Sequence, residues 1–373
     1  MAFKRQPCVR SSLNLGFPIS SLTLKWLKPA LANYFVVLLL TVCGLAIANP
    51  SFAEGSNNGY QLGRGYGIDD TGIRLGGYAS THLNGFGETP WAFDISDLSL
   101  FVTWDNGSRL RFFSEVEAED AMSAGEHQGL TTKTAGFRLE RLYLDYLVSD
   151  RLTVRIGKIL TPIGQWNQIH ADPLVWTTNR PVATDNLFSE HATGIMLHGN
   201  IPIGKRSLDY SVYADYSASL ELRRSESSVF DNALGFRLRY NINDQLKIGL
   251  SYADFALQDS VNTRNHLVGL DLAWSYRRFA VNSEIVYRNN DSTLDNNAWQ
   301  GYIQGVSPIA GDFYGVGRYE FFDQANAKFG QVGVFGLAYR PIPPLVFKLE
   351  YQLGQHNRAL APDGLFTSFA VLF

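Results

Sequence analysis

The sequence predicts an all-β protein, a transmembrane antiparallel β-barrel of about sixteen strands that follows a cleaved signal peptide. Three observations carry this expectation: an export-type leader, sixteen short runs of alternating polarity, and connections that alternate between short and long.

The leader comes first in the chain. Residues 1–33 hold Lys4, Arg5, Arg10, Lys25 and Lys28 and no acid; the apolar stretch from Tyr34 to Ala48 follows, and then Asn49, Pro50, Ser51, Phe52 and Ala53. Charged, apolar and small-residue parts in that order form an export signal, with cleavage expected after Ala53. Fifteen apolar residues fall short of the ~20 that cross a bilayer as a helix, which argues against a permanent anchor. Residues 54–71 then form an N-terminal periplasmic segment, and 72–373 the barrel. Cleavage removes Cys8 and Cys43 and leaves 320 residues with 27 basic and 35 acidic side chains, a net charge of −8. No disulfide or thiolate metal site remains possible, and no cofactor is expected. An acidic exported chain is also a poor partner for nucleic acid, which calls for clustered positive charge.

From Gly72 onward the alternating runs cover 72–83, 94–104, 109–119, 136–147, 152–159, 193–201, 207–217, 233–241, 246–256, 265–275, 279–288, 298–306, 312–322, 331–339, 345–353 and 364–373. Each is close to the ~10 residues that a tilted strand needs to cross a membrane. In the last run Leu365, Thr367, Phe369, Val371 and Phe373 share one face. The connections 105–108, 149–151, 202–206, 241–245, 276–278, 307–311 and 340–344 are short, whereas 84–93, 120–135, 160–192, 218–232, 257–264, 289–297, 323–330 and 354–363 are longer and more polar. Alternation of this kind puts short turns on the periplasmic side and long loops on the extracellular side, with both termini periplasmic.

Energy assigns the faces. In the third run Leu110, Phe112 and Val116 alternate with Arg109, Arg111, Glu115 and Glu117. A cation at mid-bilayer costs about 2–4 kcal/mol, so the charged face looks inward. The same split separates Leu345, Phe347, Leu349 and Tyr351 from Lys348 and Glu350. Aromatic residues beside the short turns, among them Tyr146, Tyr276, Phe313, Tyr339 and Phe347, read as an interfacial girdle.

The connection from Leu160 to Ala192 is twice the length of most others and contains Trp166, Arg180, Asp185, Glu190 and three prolines. Its length points to a function, and its prolines and aromatics argue against disorder. It is expected to fold into the lumen and narrow it, with an extracellular cap as the rival arrangement.

Arg155-Ile156-Gly157-Lys158, Thr161-Pro162, Gly164, Trp166 and Asn167, which follow Leu142-Tyr143-Leu144-Asp145-Tyr146, resemble the phosphate-selective porin-like family of Gram-negative outer membranes. The local motif covers about thirty residues, and the strand rhythm extends the likeness over the rest of the chain past the leader. The resemblance implies an outer-membrane homotrimer of sixteen-stranded channels with the third loop turned inward. Family members that bind phosphate use dense basic residues, lysines above all; this chain has six lysines after residue 53.

The function expected is passive diffusion of small hydrophilic solutes or ions, with anions among the candidates. The expected pore-lining and constriction residues are Arg109, Arg111, Glu115, Glu117, Arg141, Asp145, Arg155, Trp166, Arg180, Asp185 and Glu190. Arg109, Arg111, Arg239 and Lys247 suggest a basic zone near the periplasmic turns. The partners expected are outer-membrane lipid and, through Phe373, the barrel-assembly machinery. Two other classes compete with the channel: an adhesive or structural barrel acting through its loops, and a barrel hydrolase. None of the seven histidines has convincing catalytic company; His191, near Ser189 and Asp185, comes nearest to a constellation, but closeness in sequence is not triad geometry.

Overall fold

The computed structural model describes residues 59–85, 87, 90–132, 135–169, 171–185, 187–216, 229–291, 297–324 and 328–373. The expected leader over 1–53 lies outside them, as do residues 54–58 of the segment after it. Sixteen long strands follow in chain order: β1 Ile73–Gly85, β2 Ala92–Asp105, β3 Leu110–Gly125, β4 Gly136–Ser149, β5 Leu152–Leu160, β6 His191–Ile203, β7 Arg206–Asp215 and β8 Phe230–Asn241, then β9 Leu246–Leu257, β10 Ser260–Tyr276, β11 Phe279–Asn290, β12 Ala298–Ala310, β13 Phe313–Gln324, β14 Gly330–Ile342, β15 Leu345–Gln355 and β16 Gly364–Leu372. Each pairs antiparallel with the next. β16 returns to β1, from Leu365 opposite Gly85 to Leu372 opposite Tyr78, and the sheet closes into a ring. Closure leaves no strand edge, the condition for a sheet whose backbone faces lipid. Three shorter strands lie beside the ring. Tyr60–Gln61 and Gly65–Ile68 pair with each other, the second also with β1, and Gln128–Thr131 folds back on β3.

All sixteen expected runs are strands. The largest differences fall at the ends next to long connections, where β3 continues to Gly125 rather than 119 and β10 begins at Ser260 rather than 265; next to short turns β12 runs on to Ala310 and β14 to Ile342. Between β2 and β3 the register shifts between Ile95 and Asp97, and Asp120 takes φ 46°, so the alternation lapses while the ladder continues. The short turns carry their own chemistry. Gly107 adopts φ 78°, which favours glycine, and its N–H donates to Asp105 Oδ1 at 2.9 Å.

The barrel is inside-out relative to a soluble sandwich. On β15, Phe347, Leu349 and Tyr351 are 44–49% exposed, whereas Lys348, Glu350 and Gln352 are 2–3% exposed. The outer face carries an aromatic row from β13 to β16: Phe313 and Tyr339 stack at 4.4 Å, Tyr339 and Phe347 at 6.3 Å, and Phe347 and Phe369 at 4.7 Å. The largest apolar cluster lies in the lumen. Ile163, Leu187 and Phe188 of the long loop pack there against Tyr213, Phe230, Phe255 and Leu267 of the wall. Burying each such side chain contributes about 1.5–3 kcal/mol, so the loop is part of the core.

Candidate functional site

The long loop crosses the lumen and binds the wall made by β9–β16. It holds three single turns of 3-10 helix, Trp166–Gln168, Asp172–Leu174 and Val182–Thr184, which leave many backbone groups without partners in the loop itself. Buried backbone groups need partners, and the wall supplies them. Glu284 on β11 accepts the Trp166 N–H at 2.7 Å, and Glu320 on β13 accepts the Val182 N–H at 2.7 Å. Glu350 on β15 accepts both the Thr178 and Asn179 N–H groups at 2.9 Å. These glutamates sit on alternate strands and form a line of acceptors under the loop. The cations of the same wall take the carbonyls: Arg318 donates to Asn179 O at 2.9 Å, Arg340 to Pro173 O and Val175 O at 2.8 Å, and Lys348 to Thr177 O at 3.1 Å.

Side chains complete the fit. Trp166 meets Tyr302 edge-on at 6.1 Å, and Trp176 packs on Tyr314 at 4.9 Å with the Arg340 guanidinium 4.4 Å over its ring. Gly164, at φ 62°, lies so close to Glu284 that a Cβ would stand 1.8 Å from its Oε2, so a larger residue would displace the carboxylate. Lys348 also bonds Asp172 at 2.7 Å, and His82 on β1 reaches the other oxygen of that carboxylate at 3.3 Å. Burial pushes the Asp172 carboxyl up, but the Lys348 ammonium and His82 outweigh it and hold it at about 2.

Between the loop and the opposite wall, β1–β4, lies a cavity of about 200 Å³, bridged by contacts such as His82 to Asp172. Tyr78, His82, Asp97, Glu117 and Arg138 face it from the wall; Trp166, Ile169, Asp172, Val175, Arg180 and Glu190 face it from the loop. Arg138 lies among four carboxylates, at 2.6 Å from Glu140, 3.1 Å from Glu119, 3.7 Å from Glu117 and 3.9 Å from Glu190. Arg180 bonds Glu190, the Asn167 side chain and Thr184. The Tyr78 hydroxyl donates to Glu117 at 3.0 Å, and the Ser80 hydroxyl to Asp97 at 2.7 Å.

Closer to the short turns the lumen charges come in pairs. Arg141 donates to Glu115 at 2.6 Å and lies 4.6 Å over Phe113. Arg155 makes two bonds to Asp145, at 2.6 and 2.8 Å, and lies 3.7 Å over Tyr143. Arg111 pairs with Asp105 at 3.0 Å and Arg239 with Asp209 at 2.9 Å. Phe113 and Tyr143 stack at 5.2 Å, and this ring layer holds both guanidiniums flat against the wall.

Of the expected lining residues, Glu117, Trp166, Arg180 and Glu190 come together around the cavity. Glu115, Arg141, Asp145 and Arg155 form the paired layer below it, and Arg111 is half-exposed at the turn. Two residues stand apart. Arg109 is exposed in the turn before β3, and Asp185 is exposed after the last 3-10 turn. The basic zone expected from Arg109, Arg111, Arg239 and Lys247 is thus half neutralised, because Arg111 and Arg239 each hold a carboxylate.

Sequence reasoning missed His82, Asp97, Arg138, Glu140 and Asp172. The cause at Arg138 and Glu140 is a bulge: Glu115 faces Arg141 while Val116 faces Leu139, which leaves Glu140 as the extra residue. The signal was present, since charges at 138 and 140 fall on one parity and those at 141 and 145 on the other. The Ser189, His191 and Asp185 grouping is not a relay. The Ser189 hydroxyl donates to the His191 carbonyl at 2.6 Å, and the imidazole meets Glu140 at 2.5 Å. Among the described residues no group of three or more His, Cys, Asp or Glu side chains is arranged to hold a metal ion.

The architecture defined here, a closed sixteen-stranded antiparallel barrel with an inward third loop, is that of bacterial outer-membrane porins. The chain is similar to the anion-selective porin from Comamonas acidovorans, with a TM-score of 0.56 and 15% identity over 81% of this chain and 99% of that one. It is also similar to the outer membrane channel DcaP of Acinetobacter baumannii, with a TM-score of 0.56 and 12% identity over 81% of this chain and 97% of that one. At such identities the likeness speaks to the fold. By sequence, an uncharacterized protein of Aquifex aeolicus (strain VF5) is 26% identical over 339 residues, 75% of each chain. No family model matches the chain.

Proposed function

We propose that the protein is an outer-membrane porin of a Gram-negative cell, a water-filled channel through which small hydrophilic solutes or ions diffuse passively. One observation carries this reading: a loop fastened across the lumen to one wall leaves a cavity of about 200 Å³ against the other. Such an arrangement sets a local size and charge barrier without any chemistry. The exposed apolar exterior supports placement in lipid, and the shared fold with a porin and a channel supports conduction. Loop 160–192 is the constriction in this reading, with Trp166, Arg180 and Glu190 at its edge.

The finer family expectation, phosphate selectivity, draws little support from six lysines after residue 53 and a lower layer of paired arginines. The homotrimer and the role of Phe373 in barrel assembly rest on the resemblance and on the last strand. No catalytic role is proposed. Purified protein in planar bilayers is expected to give discrete conductance steps, and deletion of residues 165–186 to enlarge them. Insertion without steps would favour an adhesive or structural barrel, and an unchanged step size would remove the loop from the barrier.

A further inference from the structure

We infer that the passage prefers small organic cations to anions. This rests on the channel reading above and adds the charge class of the permeant. The cavity lining is mixed on both sides. Tyr78 from the wall and Trp166, Ile169 and Val175 from the loop give it apolar surface, while Asp97 and Glu117 from the wall and Asp172 and Glu190 from the loop line it with carboxylates. Asp94, Glu119 and Glu140 stand next to these, the first 3.9 Å from His82 and the other two against Arg138. Seven carboxylates therefore share four permanently basic neighbours, Arg138, Arg180, Lys348 and Arg340, the last bonded to the loop carbonyls just after Asp172, and the excess of three falls to one if His82 and His191 are both protonated.

The rest of the lumen does not offset this field. Arg111, Arg141, Arg155, Arg237, Arg239 and Arg318 each hold one carboxylate, and the other basic groups Lys158, Lys247 and Arg288 are matched in number by the carboxylates of Asp215, Glu284 and Glu350. A narrow passage with low-dielectric walls focuses an uncancelled field, which attracts cations and repels anions. The apolar part of the lining adds a second requirement. A solute with an ammonium group and a short alkyl part meets carboxylate and apolar surface at once, whereas an anion meets excess negative charge beside the loop.

The test is the reversal potential of the full chain in planar bilayers under a KCl gradient, followed by replacement of K⁺ by n-butylammonium. K⁺ is expected to permeate about fivefold better than Cl⁻, equivalent to ~1 kcal/mol, and butylammonium to carry current. Asp97→Asn should lower the ratio toward one. Arg138→Gln should raise it, and Arg180→Gln serves if the first arginine variant does not fold. A reversal potential of zero or on the Cl⁻ side in a conducting channel overturns this inference and leaves the channel reading standing. Absence of any conductance overturns both.

Discussion

Two walls of one lumen use the same residue type differently. On the β9–β16 side, Glu284, Glu320 and Glu350 accept N–H groups of the loop and are consumed in holding it. On the β1–β4 side, Glu115 is paired with Arg141, while Glu117, Glu119 and Glu140 crowd around one arginine beside the cavity. A lumen-facing carboxylate is therefore a fastener or part of the field a solute meets, according to whether a donor from the loop reaches it. Counting inward charges along the strands merges the two roles.

Replacing Glu284, Glu320 and Glu350 together by alanine breaks the contrast most directly. Each loop donor left unsatisfied costs about 1–3 kcal/mol, so the loop should detach, become open to protease and enlarge the conductance step. A loop that stays protected would show that apolar packing alone holds it. Acid titration is the next largest effect. The Asp172 carboxyl sits at about 2 in the folded protein against an ordinary 3.8, so its tether to Lys348 contributes fully above about 4 and is lost as pH falls through about 2. Step size followed against pH should stay flat down to that range and rise below it; a rise near pH 5 would contradict the assignment. On the open wall, Glu117→Gln should cost only about 1 kcal/mol of stability and leave the loop protected from protease, while shifting the reversal potential. The smallest effect belongs to the exterior. Phe347→Ala removes ring contacts worth about 0.5–1.5 kcal/mol each and should lower the unfolding temperature in detergent without altering ion preference.

Most of the fold was legible because a membrane barrel repeats one rule: period two, with charge on one face and apolar residues on the other. β15 follows it along its length, with Lys348 and Glu350 on the buried face, and its faces could be assigned from the residues. The rule fails where a bulge adds a residue, and it failed at Glu140, which brought Arg138 into the lumen instead of turning it to lipid. The site was less legible for a second reason. Which carboxylates the loop occupies depends on contacts 118–172 residues apart in the chain, such as Trp166 to Glu284 and Thr178 to Glu350, and strand periodicity carries no record of them. Trp166, Arg180 and Glu190 were accessible to inspection because an unusually long connection concentrates them; Asp97 lies on an ordinary strand and carried no such flag.

The path of the loop has a mechanical consequence. Every strand from β9 to β16 gives it at least one bond or ring contact, its two ends leave from β5 and β6, and His82 touches it from β1. A hoop with a spoke across it resists being squeezed into an oval. The opening beside that spoke is thereby shielded from changes in lateral pressure, and its calibre is set by the fold instead of by the lipid around it.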